Sequence, residues 1–342
     1  MKKKLFKINE SRNRSIKRIN WMLFLVIQLM AINFGLSQTN ISKMEVKKVV
    51  EIIQYTDPVC TWCWGSEPVI RALETKYGTQ VKTSYVMGGL VKDITQFSDG
   101  PIGGDPIKSN KFIALHWEEA SSRHGMPVKS EGFQLFTLEN PSTYPQNIAY
   151  KAAQMQNEEK ANRFLRRLRE ATAAEAKVTS TTEVLLELAS EVGLDIAQFL
   201  DDYQNGKAEV AFKEDLRITV ENGVRGFPAF LIKYGDKSIM LKGYRSYTDF
   251  KAIITNLSGG EIKENNKVAN VETVLTFVKS YGSAAPVEVK IAFDLSEEKY
   301  KELEQVLIEK NKVSKKIAGN GYFLIPSGNP MSCDPKTKTC GN

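Results

Sequence analysis

Two cysteines stand two residues apart in the stretch DPVCTWCWG, at Cys60 and Cys63. Thiols at this spacing support three kinds of chemistry: half of a zinc site, a structural bridge, or a dithiol that forms and breaks a disulfide during exchange with other proteins. The chain has two further cysteines, Cys333 and Cys340, close to its C-terminus. The sequence around the first pair indicates which chemistry is favoured.

Neither zinc binding nor a purely structural bridge suits this arrangement well. A four-thiolate zinc site would use both pairs, but zinc sites usually repeat the short spacing, and six residues separate Cys333 from Cys340. A bridge between Cys60 and Cys63 would close a loop so small that it would restrict the unfolded chain very little. Redox exchange is therefore favoured, with no metal and no organic cofactor, while the zinc site stays open as an alternative.

The elements next to the pair favour a reactive thiol. Residues 49–56, VVEIIQYT, are apolar and β-branched and predict a buried strand, and a helical pattern runs from about Thr61 to Tyr77. Cys60 then lies at the helix N-terminus, where unpaired N–H groups and the helix dipole stabilise a thiolate. The sequence therefore predicts that the pKa of Cys60 falls at least about one unit below the free-thiol value of roughly 8.5, with Cys60 as nucleophile and Cys63 as resolving thiol.

The first 37 residues have the pattern of an export leader. Residues 1–20 carry eight Lys and Arg residues, and an apolar run of sixteen follows from Trp21 to Leu36. This pattern predicts a signal peptide cut after Ser37, with an uncleaved N-terminal anchor as the alternative. Both interpretations place the rest of the chain in the periplasm or another extracytoplasmic space, and at the membrane only if the leader is uncleaved.

The charge of the predicted mature chain excludes one class of partner. Of the 47 Lys and Arg residues and 40 Asp and Glu residues, 39 of each lie after Ser37. The sequence pI of about 9.0 therefore reflects the leader. No basic footprint for nucleic acid remains, so we expect no nucleic-acid partner.

The pattern of elements predicts an α/β fold. A strand, helix and strand come first, residues from about 105 to 222 are helical, and two strands and a helix complete the order up to residue 258. A polar linker at 259–270 precedes residues 271–326, which predict a small winged-helix-like domain. A βαβ-like arrangement stays open there, because VEVKIAF alternates as a strand does. Residues 327–342 form a polar tail.

DPVCTWCWGSEPVIRAL together with GVRGFPAFLI resembles the DsbA family of thiol-disulfide oxidoreductases, and within it the FrnE-like branch. The resemblance covers about residues 45–258 and implies a thioredoxin-like fold with an all-helical insertion. It places the redox pair on Cys60 and Cys63 and a cis-proline loop on Phe227 and Pro228, beside the nucleophilic sulfur. The apolar Trp62 and the backbone at Phe227 are predicted to contact the substrate.

The resemblance implies an enzyme that exchanges disulfides with cysteine-containing protein clients. The leader predicts that it is exported, and an oxidising compartment favours an oxidase or isomerase over a reductase. A redox partner of unknown identity would return the pair to its starting state. The alternative is a non-enzymatic adaptor, because the same fold also serves cytosolic relatives that present clients to a protease. The leader favours the enzyme.

Several other residues carry weaker signals. His116 and His124 are expected in surface or capping roles, and RFLRRLRE, residues 163–170, is expected as a solvated helix face. Asp57 either relays a proton to the resolving thiol or stabilises the turn before Pro58. Trp64, like Trp62, is expected to offer an apolar surface to a client.

The tail cysteines predict a disulfide of their own. Cys333 and Cys340 flank the turn-rich stretch DPKTKT, so their sulfurs can meet without strain, and an oxidising compartment favours the bond. It is either a structural clip on the terminus or a second redox pair that exchanges with Cys60 and Cys63.

Overall fold

The computed structural model describes residues 48–265 and 267–328. The predicted leader at 1–37 and the tail cysteines Cys333 and Cys340 lie outside the described residues, so those predictions stand as predictions. Within the described ranges, no helix is both long and apolar enough to cross a bilayer.

The first four elements form the predicted strand–helix–strand unit. Strand β1 (Val50–Thr56) pairs in parallel with β2 (Val81–Met87), in register from the first residue of each. Two helices connect them, α1 (Thr61–Gly65) and α2 (Glu67–Tyr77), because the helix predicted as continuous is interrupted at Ser66. Val50, Ile52 and Tyr55 of β1 are buried, and the strand lies inside the sheet between β2 and β3.

A hairpin and a helix complete the thioredoxin-like part. Strands β3 (Ala229–Tyr234) and β4 (Lys237–Lys242) are antiparallel, and the sheet order is β2–β1–β3–β4. Helix α9 (Tyr247–Ser258) begins after Ser246, whose side chain forms a capping box with Asp249. The mixed sheet with helices agrees with the predicted α/β fold.

The chain between β2 and β3 is an all-helical insertion, as predicted. Its aromatic and aliphatic residues, among them Phe164, Leu168, Phe199 and Phe212, pack together with at most 1% of their surface exposed. This insertion has its own apolar core. Its helices are α3 (Pro106–His124), α4 (Tyr144–Gln156), α5 (Glu158–Ala173), α6 (Thr182–Glu191), α7 (Ile196–Gln204) and α8 (Lys207–Glu221).

The C-terminal part consists of helices followed by a hairpin. The stretch VEVKIAF is helical, so the βαβ-like alternative was wrong; Pro286 opens the helix, and the Glu288 carboxylate accepts a hydrogen bond from the Ala285 amide at 2.7 Å. The assignment to the winged-helix class stays a prediction. The elements are α10 (Val271–Tyr281), α11 (Pro286–Phe293), α12 (Glu297–Glu309), β5 (Val313–Ala318) and β6 (Gly321–Pro326).

The C-terminal part packs directly on helix α2. Ala72 of α2 belongs to the same apolar cluster as Val274 and Val289. Lys76 at the end of α2 forms an ion pair with Asp294 at 2.6 Å. The residues on the two sides of the predicted linker therefore share a core, and the described chain from residue 48 onward forms one compact unit.

Candidate redox site

The two cysteines lie where the sequence predicts them, between β1 and α1. Cys60 is the N-cap of α1, and its sulfur accepts a hydrogen bond from the Cys63 amide at 3.3 Å. Both are free thiols. Cys60 has 6% of its surface exposed and Cys63 has none, so Cys60 is the more accessible of the two.

The proline loop lies beside this sulfur. The Phe227–Pro228 peptide bond is cis, as the resemblance implies, and the Phe227 carbonyl oxygen is 3.7 Å from Cys60 Sγ, where it accepts from the thiol. The Phe227 ring packs against Gly88, so closely that a Cβ on Gly88 would lie 1.9 Å from the ring. The absence of a side chain at Gly88 is what admits so bulky a residue before the proline.

Asp57 is a structural residue in the loop before Cys60. Its carboxylate is fully buried and accepts hydrogen bonds from the amides of Val59 and Leu90 and from the side chains of Thr143 and Asn147, at 2.7–3.0 Å. Burial raises the pKa of Asp57, and these hydrogen bonds oppose the rise. Because its partners come from three parts of the chain, the contacts support the turn-stabilising interpretation rather than the proton relay.

The two tryptophans of the motif have different environments. Trp62 is partly exposed, and its ring lies 5.8–6.1 Å from those of His116, His124 and Tyr244. Trp64 is buried, and its indole N–H donates to the Pro127 carbonyl at 2.9 Å. The expectation of a client surface at Trp64 was therefore wrong, because the insertion covers it, whereas Trp62 stays accessible.

His124 packs against helix α1 at Gly65. Its ring leaves no room for a side chain on Gly65, where a Cβ would lie 2.4 Å from it, and its Nδ1 accepts from the Met126 amide at 3.1 Å. Burial lowers the pKa of His124 to about 4, so the ring is neutral at pH 7. No cluster of potential metal ligands occurs among the described residues.

A buried cation contacts the end of β1 and the start of α2. Arg169 on α5 has only 1% of its side chain exposed, forms an ion pair with Glu67, and donates to the Thr56 hydroxyl at 2.5 Å. RFLRRLRE is thus not a solvated face: it buries Arg166 and Arg169, although Arg163 is exposed. Arg169 was not predicted as a site residue. It lies three residues after Arg166 and among the apolar Phe164, Leu165 and Leu168, and this position is the sequence signal that the side chain is buried.

The pKa values of the two thiols shift in opposite directions. Burial raises the pKa of Cys60 well above its ordinary value. Burial acts in the same direction on Cys63, but the hydrogen bond from Cys60, the charge of Arg169 and a hydrogen bond from Thr56 together lower the pKa of Cys63. The shift of the Cys60 pKa is thus opposite to the predicted lowering, because burial outweighs the hydrogen bond from the Cys63 amide.

Comparison with known proteins agrees with the fold. The family model described as Thioredoxin matches residues 53–252. The crystal structure of a protein from Nitrosomonas europaea, described as a candidate protein disulfide isomerase, superposes with a TM-score of 0.53 at 20% identity, over 62% of this chain and 99% of that one. The predicted resemblance to disulfide oxidoreductases is thus confirmed for the fold, and the FrnE-like branch stays a prediction.

Relatives of similar length carry a different description. The ClpXP adapter protein SpxH of Bacillus subtilis (strain 168) is 28% identical over 283 residues, which cover 81% of this chain and 89% of that protein. The protein of the same name from Halalkalibacterium halodurans is 27% identical over 279 residues, covering 80% and 88%. The similarity therefore extends beyond the thioredoxin-like part into the C-terminal region.

Proposed function

The chain belongs to the thioredoxin family, and from this premise we propose that it is a protein thiol-disulfide oxidoreductase acting through Cys60 and Cys63. One observation carries the proposal. Two free thiols lie at the strand–helix junction, and the carbonyl that precedes the cis-proline faces the more accessible sulfur. A client chain lying along Phe227 would present its own sulfur to Cys60.

The exchange proceeds through a mixed disulfide. A client thiolate attacks Cys60 in the Cys60–Cys63 disulfide, a bond to the client sulfur forms, and the electron pair of the broken bond stays on Cys63. A second client thiolate then attacks the client's own sulfur and releases Cys60. The client loses two electrons as its disulfide forms, and the cysteine pair gains them, so no other cofactor takes part.

We propose that the protein works outside the cytoplasm, on exported clients that contain cysteines. The basic segment and apolar run at residues 1–36 support export, and an oxidising compartment favours an oxidase or isomerase over a reductase. A separate redox partner restores the oxidised pair after each turnover.

A second candidate function is client binding without catalysis. It is favoured by the relatives described as adapter proteins, which align over about four-fifths of the chain. In that case Trp62 and the proline loop would hold a client, and the thiols would be dispensable. The export signal counts against a cytosolic role of this kind.

The two functions differ in whether they need the thiol of Cys60. We expect Cys60→Ser to abolish the oxidation of reduced ribonuclease and the reduction of insulin, because Cys63, the other cysteine that the structure describes, has no exposed surface. Ser122→Ala, on the exposed side of α3, is the control for handling and folding. If Cys60→Ser is as active as the parent, the oxidoreductase is excluded, and unchanged client binding by that variant would support the adapter.

A further inference from the structure

The carboxylate of Asp57 joins three segments of the chain at one point. Its Oδ1 accepts from the Val59 amide at 3.0 Å, in the loop that leads to α1. Its Oδ2 accepts from the Leu90 amide at 2.7 Å, in the turn after β2, and from two side chains of the insertion, Thr143 at 3.0 Å and Asn147 of α4 at 2.8 Å. A carboxylate is the side-chain group that can accept four hydrogen bonds and donate none.

These contacts exceed what the turn before α1 needs. A side chain that stabilises such a turn has to accept from one nearby amide, and asparagine does so as well as aspartate. Asp57 has no exposed surface, and its described hydrogen-bond partners are all uncharged. A buried carboxylate without a cation is unfavourable unless hydrogen bonds replace its water. The four donors therefore depend on this carboxylate, and it depends on them.

The joined segments surround the sulfur of Cys60 and the proline loop. The Cys60 amide donates to the Asp57 carbonyl at 3.2 Å, and the Cys60 sulfur donates to the Phe227 carbonyl at 3.7 Å. The Phe227 ring packs on Gly88 at the end of β2, and the Gly88 amide donates to the Thr56 carbonyl at 2.7 Å. The contacts form a closed ring that runs from the sulfur through the proline loop and the end of β2 back to Asp57.

We propose that Asp57 is a positioning residue: by holding the loop before Cys60, the turn after β2 and helix α4 together, it fixes the Cys60 sulfur relative to the Phe227 carbonyl, where a substrate chain aligns its disulfide. The inference deepens the proposed function and rests on it for the alignment of the substrate along the proline loop. It also gives the insertion a part in the reaction, because Asn147 of α4 donates to the same carboxylate.

Two reagents separate alignment from reactivity at Cys60. The first is the disulfide-linked dimer of a short peptide with a central cysteine. Cys60 loses its proton to solvent and bonds to one peptide sulfur, and the other peptide sulfur leaves with the electron pair of the broken bond. The second is iodoacetamide, which needs the thiolate but no aligned chain. In a Cys63→Ser background the mixed disulfide persists, and peptide mass mapping follows the modification of Cys60 by each reagent.

Asp57→Asn keeps the size of the side chain but places an NH2 group against at least one N–H donor, whichever way the amide is turned. We expect the ratio of the peptide-disulfide rate to the iodoacetamide rate to fall at least about tenfold, because a displacement of about 1 Å at a reacting centre costs roughly 100-fold. Burial chiefly raises the pKa of Cys60, and the charge of Asp57 adds to the rise. Alkylation of the variant should therefore be as fast as that of the parent or faster.

Asn147→Leu tests the part played by the insertion without changing the charge. Asn147 has no exposed surface, and its Oδ1 has no partner among the described residues, so the substitution removes a donor to Asp57 and strands no donor to itself. We expect the same ratio to fall by less than in Asp57→Asn, because two other donors still hold Oδ2. Gln146→Leu is the matched control: it is the preceding residue of α4, equally buried, with no described hydrogen bond to Asp57.

The reagents are independent of protein clients, so the two proposals fail separately. Circular dichroism shows whether each variant is folded, and if Asp57→Asn does not fold, the pair on α4 decides alone. A ratio unchanged in folded Asp57→Asn, or the same ratio in Asn147→Leu as in Gln146→Leu, overturns the inference. If the ratio falls as expected while the parent protein neither oxidises reduced ribonuclease nor reduces insulin, the positioning role holds and the proposed oxidoreductase function fails.

Discussion

Cys60 and Cys63 differ in two properties that matter for disulfide exchange, their exposure and the direction in which their pKa values shift. Access is restricted to Cys60, because Cys63 has no exposed surface. The pKa of Cys63 is lowered, chiefly by the hydrogen bond from Cys60 and by the charge of Arg169, whereas burial raises the pKa of Cys60. In the exchange that we propose, the more accessible sulfur would receive the client and the enclosed one would hold the electron pair that is released.

At the same scale, His124 makes stability depend on pH. Its folded pKa of about 4 lies below the usual 6.5, so the unfolded chain binds its proton first, and stability from this residue is lost as pH falls below about 6.5. By pH 4.5 we expect it to cost about 2 kcal/mol of unfolding free energy. His124→Asn keeps an acceptor for the Met126 amide but does not titrate.

Urea unfolding at pH 7 and pH 4.5 measures this effect. The parent should lose about 2 kcal/mol more than His124→Asn over that interval. His116→Asn, altered at the other histidine of α3, controls for general acid effects. Equal losses in the parent and in His124→Asn would show that the His124 ring already takes up its proton without penalty.

At the scale of elements, the proline loop packs closely against the end of β2, because Gly88 has no side chain and the Phe227 ring occupies that space. Ala at Gly88 would place its Cβ 1.9 Å from the Phe227 ring, so the ring and the loop must move. We expect Gly88→Ala to lower the unfolding free energy by about 1–3 kcal/mol, the usual cost of overpacking. Urea unfolding measures it.

Gly226→Ala is the matched control, since a Cβ there meets nothing within 4 Å. It should change the unfolding free energy by no more than about 0.5–1 kcal/mol, and in the stabilising direction if it only restricts the unfolded chain. A Gly88→Ala variant as stable as this control would mean that the Phe227 ring moves aside freely.

The elements next to the cysteines could be predicted because their signals are local. The apolar strand before Cys60, the cysteine spacing and the Phe227–Pro228 pair are all contiguous in sequence, and the structure has each as predicted. The role of α5 could not be predicted in this way. The carboxylates that pair with Arg166 and Arg169 lie 122 and 102 residues away along the chain, so a helix that looks solvated by composition is buried by distant partners.

The helix at Pro286 shows a second case in which the local pattern did not predict the structure. Its alternation of apolar and polar residues satisfies the pattern of a strand, but the proline in its first turn and the hydrogen bond between Glu288 and the Ala285 amide begin a helix. Both faces of that helix meet other elements, so alternation carries little information about its period.

For the whole molecule, the buried ion pairs connect the redox site to the C-terminal part. Glu288 of α11 has no exposed surface and pairs with Arg71 at 2.9 Å and Arg166 at 3.1 Å. Arg71 belongs to the thioredoxin-like part and Arg166 to the insertion, so one carboxylate neutralises cations of both. The three parts of the described chain are therefore expected to unfold together.

Glu288→Gln tests that expectation because it leaves two buried guanidinium groups without their carboxylate. We expect it to lower the unfolding free energy by about 3–5 kcal/mol, whereas Glu297→Gln, which removes an exposed pair with Lys290, should cost less than about 1 kcal/mol. Among the described residues the tryptophans are Trp62, Trp64 and Trp117, all within the first two parts, and Trp64 also packs against Phe323 of β6. Their fluorescence therefore reports on the first two parts and on their contact with β6, while far-ultraviolet circular dichroism follows every helix.

If the ion pairs join the parts into one cooperative unit, both signals shift to lower urea by the same amount in Glu288→Gln and stay superimposable. The reason is that the stranded cations destabilise the α2 and α5 helices as much as α11. An early transition seen by circular dichroism alone, with the fluorescence midpoint unmoved, would contradict this and show that the C-terminal helices unfold independently of the redox site.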